Sequence, residues 1–223
     1  MVTFTLFSAD EPVAGRLIER WGVAADLDVP KRSAERAPGS RLARAALCAL
    51  LNRLSPAQEW AFCSDSVGKP FVKARFGGEA GPAVSLSHSG KWVACAISGR
   101  PVGIDVERHR ERRYSAIAEY AFGERERDLV CRDGGAAFYR IWTLREAIAK
   151  ATGDGLRGVM DRRDRAHGGA EGHWTAPADN GGTWLLAHVR PQPEVSLAIA
   201  LLAGRGVDWS TETFEEIRPA ELC

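Results

Sequence analysis

The chain has 223 residues, 45% of them apolar and 26% charged, and its 30 Lys+Arg against 29 Asp+Glu leave a net charge of +1. That length allows one large domain or two small ones with ample core, and the near-balance of charge excludes a global field that would draw nucleic acid. No run of about 18 apolar residues occurs, so no membrane span is expected. The five cysteines (Cys48, Cys63, Cys95, Cys131 and Cys223) are scattered without CxxC spacing, which fits a reducing cytoplasm.

Residues 2–7 read as a strand, with no basic segment ahead of them that would suggest a signal peptide. Pro12 opens a short helix with Val13, Leu17, Ile18 and Trp21 on its apolar stripe. Residues 22–40 hold Gly22, Pro30, Pro38 and Gly39 and read as a loop carrying Lys31, Arg32 and Arg36. Ser40 then reads as the N-cap of a helix through Leu54, whose core face is Leu42, Ala45, Ala46, Ala49, Leu50 and Leu54. Arg41 and Arg44 fall in its first turn, where cations oppose the helix dipole; an anion bound there would explain them, as would a plain exposed face.

A short strand at 60–63 leads into the turn Gly68-Lys69-Pro70. The alternating strand 84–88 ends in the polar turn Ser87-His88-Ser89-Gly90. Residues 92–97 form a nearly continuous apolar strand, buried on both faces. A turn at 98–101 leads to Val102-Gly103-Ile104-Asp105-Val106-Glu107, so the middle of the chain reads as an antiparallel meander. Helices are expected over 112–122, 124–131 and 135–152, the last stopped by Gly153. An exposed loop, 157–172, precedes strands near 173–175, 183–189 and 195–202. The polar tail, 207–223, is expected to be loosely held. Each half thus runs strand, helices, strands, which suggests two similar α/β units, 1–100 and 101–223.

Chemistry concentrates in two stretches. In the strand 102–107, Val102, Ile104 and Val106 fall on one face and Gly103, Asp105 and Glu107 on the other, which sets the two carboxylates roughly 6–7 Å apart, pointing the same way. In Trp142-Thr143-Leu144-Arg145-Glu146-Ala147-Ile148-Ala149-Lys150, Glu146 and Lys150 share a helix face with Trp142. A third carboxylate beside the first two would make an all-oxygen site suited to Mg²⁺ with a substrate's phosphates. Lys69, Arg145 and Lys150 are candidate phosphate grips, and His88 a candidate donor or base. Taken singly, each has a plainer reading: solvated strand carboxylates, a surface i,i+4 ion pair, a hydrogen-bonded structural histidine. The residues alone reach Mg²⁺-dependent chemistry on a phosphate-bearing ligand.

These same stretches resemble the two signatures of the 4′-phosphopantetheinyl transferases, a Gly-(Ile/Val)-Asp strand and a W-x-x-K-E-[AS]-x-x-K helix. Gly68-Lys69-Pro70 and the segment 84–92 are similar to that family's coenzyme A-binding segments. The length resembles its larger, surfactin-synthetase-activator type. The resemblance implies an α+β fold, a pseudo-dimer of two α/β subdomains with antiparallel sheets and the coenzyme between them. It implies transfer of the phosphopantetheine arm from coenzyme A, the co-substrate, to a serine of an apo-acyl or peptidyl carrier protein, releasing adenosine 3′,5′-bisphosphate. Mg²⁺ would be held by Asp105, Glu107 and Glu146. Glu146 would also take the serine proton, Lys150 would stabilise the diphosphate or leaving phosphate, and His88 with Ser87, Ser89 and Gly90 would meet the coenzyme phosphates. Arg41 and Lys69, the latter between Gly68 and Pro70, would hold its adenylate end and 3′-phosphate. A cytoplasmic monomer is implied, with neither nucleic acid nor membrane as partner. Arg145 departs from the family's usual lysine, which supports one alternative, a weakened homologue that binds coenzyme A or a carrier without turnover; a further alternative, a coenzyme A-dependent acyltransferase using His88 as base, would leave the three carboxylates without a role.

Overall fold

The computed structural model describes residues 1–26, 38–164 and 172–222. It forms two compact units, Met1–Pro101 with Thr213–Cys223, and Val102–Glu212. Both are α+β.

In the first unit, β1 (Val2–Ser8) lies antiparallel to β5 (Trp92–Ser98), with Phe4 opposite Ala96, and β5 to β4 (Ala83–Ser89). The β4–β5 turn is Gly90-Lys91, and Gly90 has φ +60°, the left-handed backbone that a tight hairpin requires. Helices α1 (Pro12–Asp26) and α2 (Pro38–Leu54) cover one face, where Leu17, Leu47, Leu50, Val93 and Cys95 form the core. Burial pushes the Cys95 thiol up, so it stays an inert apolar filler. Strands β2 (Trp60–Ser64) and β3 (Pro70–Ala74) make a separate hairpin.

In the second unit the sheet order is β6-β9-β8-β7, all antiparallel: β6 (Val102–Arg108), β7 (Gly172–Pro177), β8 (Thr183–Gln192) and β9 (Val195–Ala203). Helices α3 (Tyr114–Ala121), α4 (Glu124–Thr152) and α5 (Gly155–Val159) join β6 to β7. Phe138, Ile141 and Leu144 of α4 pack with Leu186, Ala198 and Ala200 of the sheet. In both units the first strand lies beside the last long strand, with the penultimate strand next, so the two halves repeat one topology.

Several expectations need correction. Helix α1 continues to Asp26 across the expected loop; of 22–40, residues 27–37 with Lys31, Arg32 and Arg36 lie outside the described residues. Helix α2 begins at Pro38, not Ser40, because a proline suits the first helical turn. Ser40, now inside the helix, accepts a bond from Arg44 Nη1 (2.9 Å). Leu54 is 40% exposed, beyond the core face. Tyr114, not residue 112, begins α3, and the helices expected at 124–131 and 135–152 join across a kink at Gly134 (φ +63°). The meander ends early: β6 pairs with β9 rather than β5, whose other neighbour is β1. Helix α5 occupies the start of the expected 157–172 loop, and 165–171 lie outside the described residues. The tail is held: β10 (Phe214–Glu216) pairs in parallel with β1, and Ile217 and Leu222 are buried in the first core. The second unit therefore ends at Glu212, not at the C-terminus.

Candidate active site

Strand β6 is buried on both faces from Val102 to Val106, because Gly103 and Asp105 look toward α4 and not toward water; Glu107 is half-buried. Gly103 sets the approach. A Cβ there would fall inside the van der Waals envelope of the Ala147 carbonyl oxygen, and 2.8 Å from Ala151 N. Only a residue without a side chain lets α4 lie this close. The helix turn so docked carries Glu146 and Lys150 to the Asp105 face of the strand.

Lys150 Nζ donates to Asp105 Oδ1 (2.6 Å) and to the Ile104 carbonyl (3.3 Å). The Asp105 side chain is 6% exposed and that of Lys150 30%. Burial raises the Glu146 carboxyl to about 7, with the charge of Asp105 pushing the same way, Lys150 opposing, and Glu107 adding to the rise. The three carboxylates are therefore near enough to repel one another, while among the described residues no three His, Cys, Asp or Glu side chains stand arranged to hold an ion. Both observations concern a site whose cation is the Lys150 ammonium. Three carboxylates are the oxygen donors a hard divalent cation takes, whereas the Lys150 ammonium on Asp105 has no lone pair to give it.

Arg145 overturns an expectation. It is one residue from Glu146 but points away from the carboxylates, with its side chain fully buried. Its Nε and Nη2 both donate to Glu126 Oε2, a forked ion pair with the Nε bond at 3.0 Å. Its Nη1 donates to the carbonyls of Val159 (2.9 Å) and Asp161 (2.5 Å), its Nη2 to that of Arg163 (2.6 Å), and the guanidinium lies 5.1 Å from the Phe122 ring centre. Arg145 is thus not a ligand grip. It is a clamp from α4 to the segment after α5, and a planar five-donor fork fits that task where an ammonium would not. Its departure from lysine falls on packing, so the weakened-homologue alternative loses its support. Arg145→Ala should destabilise the protein by about 3–5 kcal/mol, because Glu126 would be left buried without its partner; Arg145→Lys should cost less, since it keeps the ion pair. Urea denaturation checks both.

Glu126 was not singled out from the sequence. Its signal was the Gly123-x-x-Glu126 spacing at a helix start: Glu126 Oε2 accepts the Gly123 N–H at 3.2 Å. Also unforeseen is a buried polar row on β8 and β9, in which Ser196 Oγ lies 2.9 Å from His109 Nε2 and 3.2 Å from His188 Nε2. Ser196 is the cross-strand partner of Glu107 and Ala198 that of Asp105, so this row shares the carboxylates' face.

The remaining candidates lie in the first unit. His88 is exposed at the end of β4 and its ring rests on Gly39, where a Cβ would come within 3.1 Å. This places the turn Ser87-His88-Ser89-Gly90 beside the first turn of α2, a polar corner next to helix N–H groups. Arg41, two residues on, lies over Gly22 of α1, its Nη2 2.9 Å from where a Cβ would be. Gly68 and Lys69 lie in the turn of the β2–β3 hairpin, and Pro70 begins β3. There Asp65 Oδ1 accepts the N–H groups of Val67 (3.0 Å) and Lys69 (2.8 Å), and Gly68 has φ +88°.

Residues 101–189 match the family model described as the 4′-phosphopantetheinyl transferase superfamily. Curated relatives agree. The chain is 36% identical over 122 residues to the 4′-phosphopantetheinyl transferase gsp of Aneurinibacillus migulanus, covering 53% of this chain and 48% of that protein. It is 36% identical over 86 residues to Sfp of Bacillus subtilis (strain 168), covering 34% and 36%. To HetI of Nostoc sp. it is 39% identical over 101 residues, covering 43% and 42%. The chain thus spans half or less of the length of these relatives, and the likeness is to the larger, Sfp type.

Proposed function

We propose that this chain, which carries the 4′-phosphopantetheinyl transferase signature over residues 101–189, moves the phosphopantetheine arm of coenzyme A onto a serine of an apo-acyl or peptidyl carrier protein. The observation that carries the reading is the docking of α4 on Gly103, which sets Glu146 and Lys150 against Asp105. The serine Oγ attacks the phosphorus bearing the pantetheine arm, and the bond to adenosine 3′,5′-bisphosphate breaks. A carboxylate held near neutrality is suited to take the serine proton at physiological pH, which favours Glu146 as the base, directly or through a water.

Asp105, Glu107 and Glu146 would hold Mg²⁺, which supplies charge neutralisation on the diphosphate oxygens when bound. Lys150 would then turn from Asp105 to the leaving phosphate, which its half-buried, flexible stem permits. In the first unit, Ser87, His88, Ser89 and Gly90 supply hydroxyl, imidazole and backbone donors for phosphate oxygens. Arg41 and Lys69 supply charge for the adenylate end and 3′-phosphate. Coenzyme A brings about four negative charges, a phosphomonoester plus a diphosphate, and this local set balances them in a nearly neutral chain.

No described helix is long and apolar enough to cross a membrane. Free cysteines fit the reducing cytoplasm in which coenzyme A is used, and one chain with two such units fits a monomer.

Mass spectrometry tests the reading. Incubated with coenzyme A and Mg²⁺, an apo-carrier should gain the mass of one phosphopantetheine arm. Asp105→Ala should abolish the gain while the variant keeps its fold by circular dichroism. No gain across a panel of carriers, or wild-type rates in the variant, would refute it.

A further inference from the structure

Asp105 and Glu107 are not placed alike. Asp105 lies in the middle of β6, whereas Glu107 is one residue from its last, Arg108. The end of a strand opens more easily than its middle, and an open end would let a half-buried glutamate swing into water. The next residue on the same face is His109. The alternation of β6 runs on through it: Glu107 and His109 are half-buried, Arg108 and Arg110 exposed.

His109 is held from three sides. Its backbone N–H donates to the Glu194 carbonyl (2.7 Å), one step beyond the last β6–β9 pair, Arg108 with Val195. Its ring stacks on Tyr139 of α4, with centres 4.2 Å apart and an interplanar angle of 7°. Its Nε2 lies 2.9 Å from Ser196 Oγ, which in turn lies 3.2 Å from His188 Nε2. A hydroxyl can donate to one imidazole while accepting from the other, so one serine ties both rings. Ser196 and His188 are 0% and 1% exposed, and a hydrogen-bond partner lost at that depth is costly.

Cross-strand pairing sets this row beside the carboxylates. Ser196 is opposite Glu107, and Ala198 is the partner of Asp105 on one side and of His188 on the other. Opposed side chains on one face of a sheet are about 5 Å apart at Cβ. Tyr139 completes the frame: its Oη also accepts the Arg110 N–H (2.6 Å), and it precedes Glu146 by about two helical turns. Helix α4 therefore meets β6 and its extension twice, at Gly103 against Ala147 and Ala151, and at His109 against Tyr139. Asp105, Glu107 and Glu146 lie between the two contacts. The charge of Glu107 is felt at both Tyr139 and Glu146, in keeping with a carboxylate held in that interval.

We propose that His109 is the positioning residue for Glu107. Ser196 and His188 fix its ring from the sheet and Tyr139 fixes it from the helix. The end of β6 then stays closed, and the Glu107 carboxylate stays turned toward Asp105 and Glu146. The inference rests on the reading of these carboxylates as Mg²⁺ ligands. A carboxylate held before the ion arrives loses less freedom on capturing it, and groups that orient a ligand set about tenfold or more of metal affinity.

The experiment measures Mg²⁺ affinity by calorimetry on the folded protein, with and without coenzyme A, beside hydrogen exchange of the β6 amides. His109→Ala should weaken Mg²⁺ binding about tenfold and speed exchange at 107–109, while 102–104 keep the wild-type rate. Ser196→Ala, which leaves the contact with Tyr139 in place, should do the same to a smaller degree, and it decides the matter if His109→Ala does not fold. The loss should depend on Glu107. In Glu107→Gln, which keeps one oxygen donor, adding His109→Ala should cost under about twofold more, as coupled residues do. A histidine that served the fold alone would lower the melting temperature and leave the affinity of the folded state as it was. Unchanged Mg²⁺ affinity or unchanged exchange at 107–109 overturns the proposal, and so does the same loss repeated in the Glu107→Gln background. If wild type binds no Mg²⁺ in either condition, the metal reading falls and the proposal with it. If wild type binds Mg²⁺ but modifies no carrier, the transferase reading alone fails, and the variant affinities still decide the role of His109.

Discussion

Gly103→Ala is expected to lose both stability and activity, although it adds one methyl group at a distance from any reacting atom. The added Cβ would meet the Ala147 carbonyl and Ala151 N, backbone atoms inside a helix. Backbone cannot rotate aside as a flexible side chain can, so α4 must shift from β6. Overpacking of this kind costs about 1–3 kcal/mol, which thermal denaturation reads directly. The effect on turnover should be larger than that loss implies. Glu146 and Ala147 are adjacent, so a shift of about 1 Å moves Glu146 and Lys150 off Asp105, and misplacement on that scale costs about a hundredfold in rate. Gly103→Ala with wild-type melting and turnover would show that the helix does not rest on the strand as described. Gly15, beside which a Cβ would meet nothing within 4 Å, serves as the control.

Stability of the metal-free protein should fall as pH rises from about 5 to about 8, with Glu146 the main cause. Its carboxyl is raised from 4.5 to about 7 by burial and by the charges of Asp105 and Glu107, against the opposing pull of Lys150. The folded state therefore holds a proton that the unfolded chain has released. The contribution is fully present below the unfolded value near 4.5 and is lost as pH passes through about 7. By linkage the loss is about 3 kcal/mol. Urea titrations from pH 5 to 8 should show this slope in wild type and a flatter one in Glu146→Gln, which keeps the shape and cannot ionise. On the proposed function, Mg²⁺ should recover stability at pH 8 in wild type, because it would bind the folded carboxylates and not the unfolded chain, and should do so weakly in the variant. Parallel pH curves for the two proteins would sink the assignment of Glu146 as the strained carboxylate.

Much of the site was legible because its parts obey short-range rules. Alternation put Asp105 and Glu107 on one face, and i,i+4 spacing put Lys150 beside Glu146. The same rules could not say which way Arg145 turns, since a residue next to Glu146 lies about 100° away around the helix. Its partners, Glu126 and the carbonyls of Val159, Asp161 and Arg163, are distant in sequence. The β6–β9 pairing was missed for a related reason: a short turn at 98–101 suits a hairpin, and only competition from β1 for the edge of β5 rules one out. The tail was misread because average polarity hid Ile217 and Leu222, two apolar residues that suffice to anchor it.

The pairing of β10 with β1 orders the birth of the molecule. Residues 102–212 are contiguous, so the unit that holds the carboxylates has all its strands once they have been synthesised. The other unit starts before it and finishes after it: the outer edge of β1, made ahead of the whole second unit, stays bare until Phe214–Glu216 leave the ribosome. A bare edge is a template for mispairing. A chain cut before Phe214 would therefore injure β1, more than two hundred residues away in sequence, leaving the carboxylate-bearing unit complete and its companion open at one side.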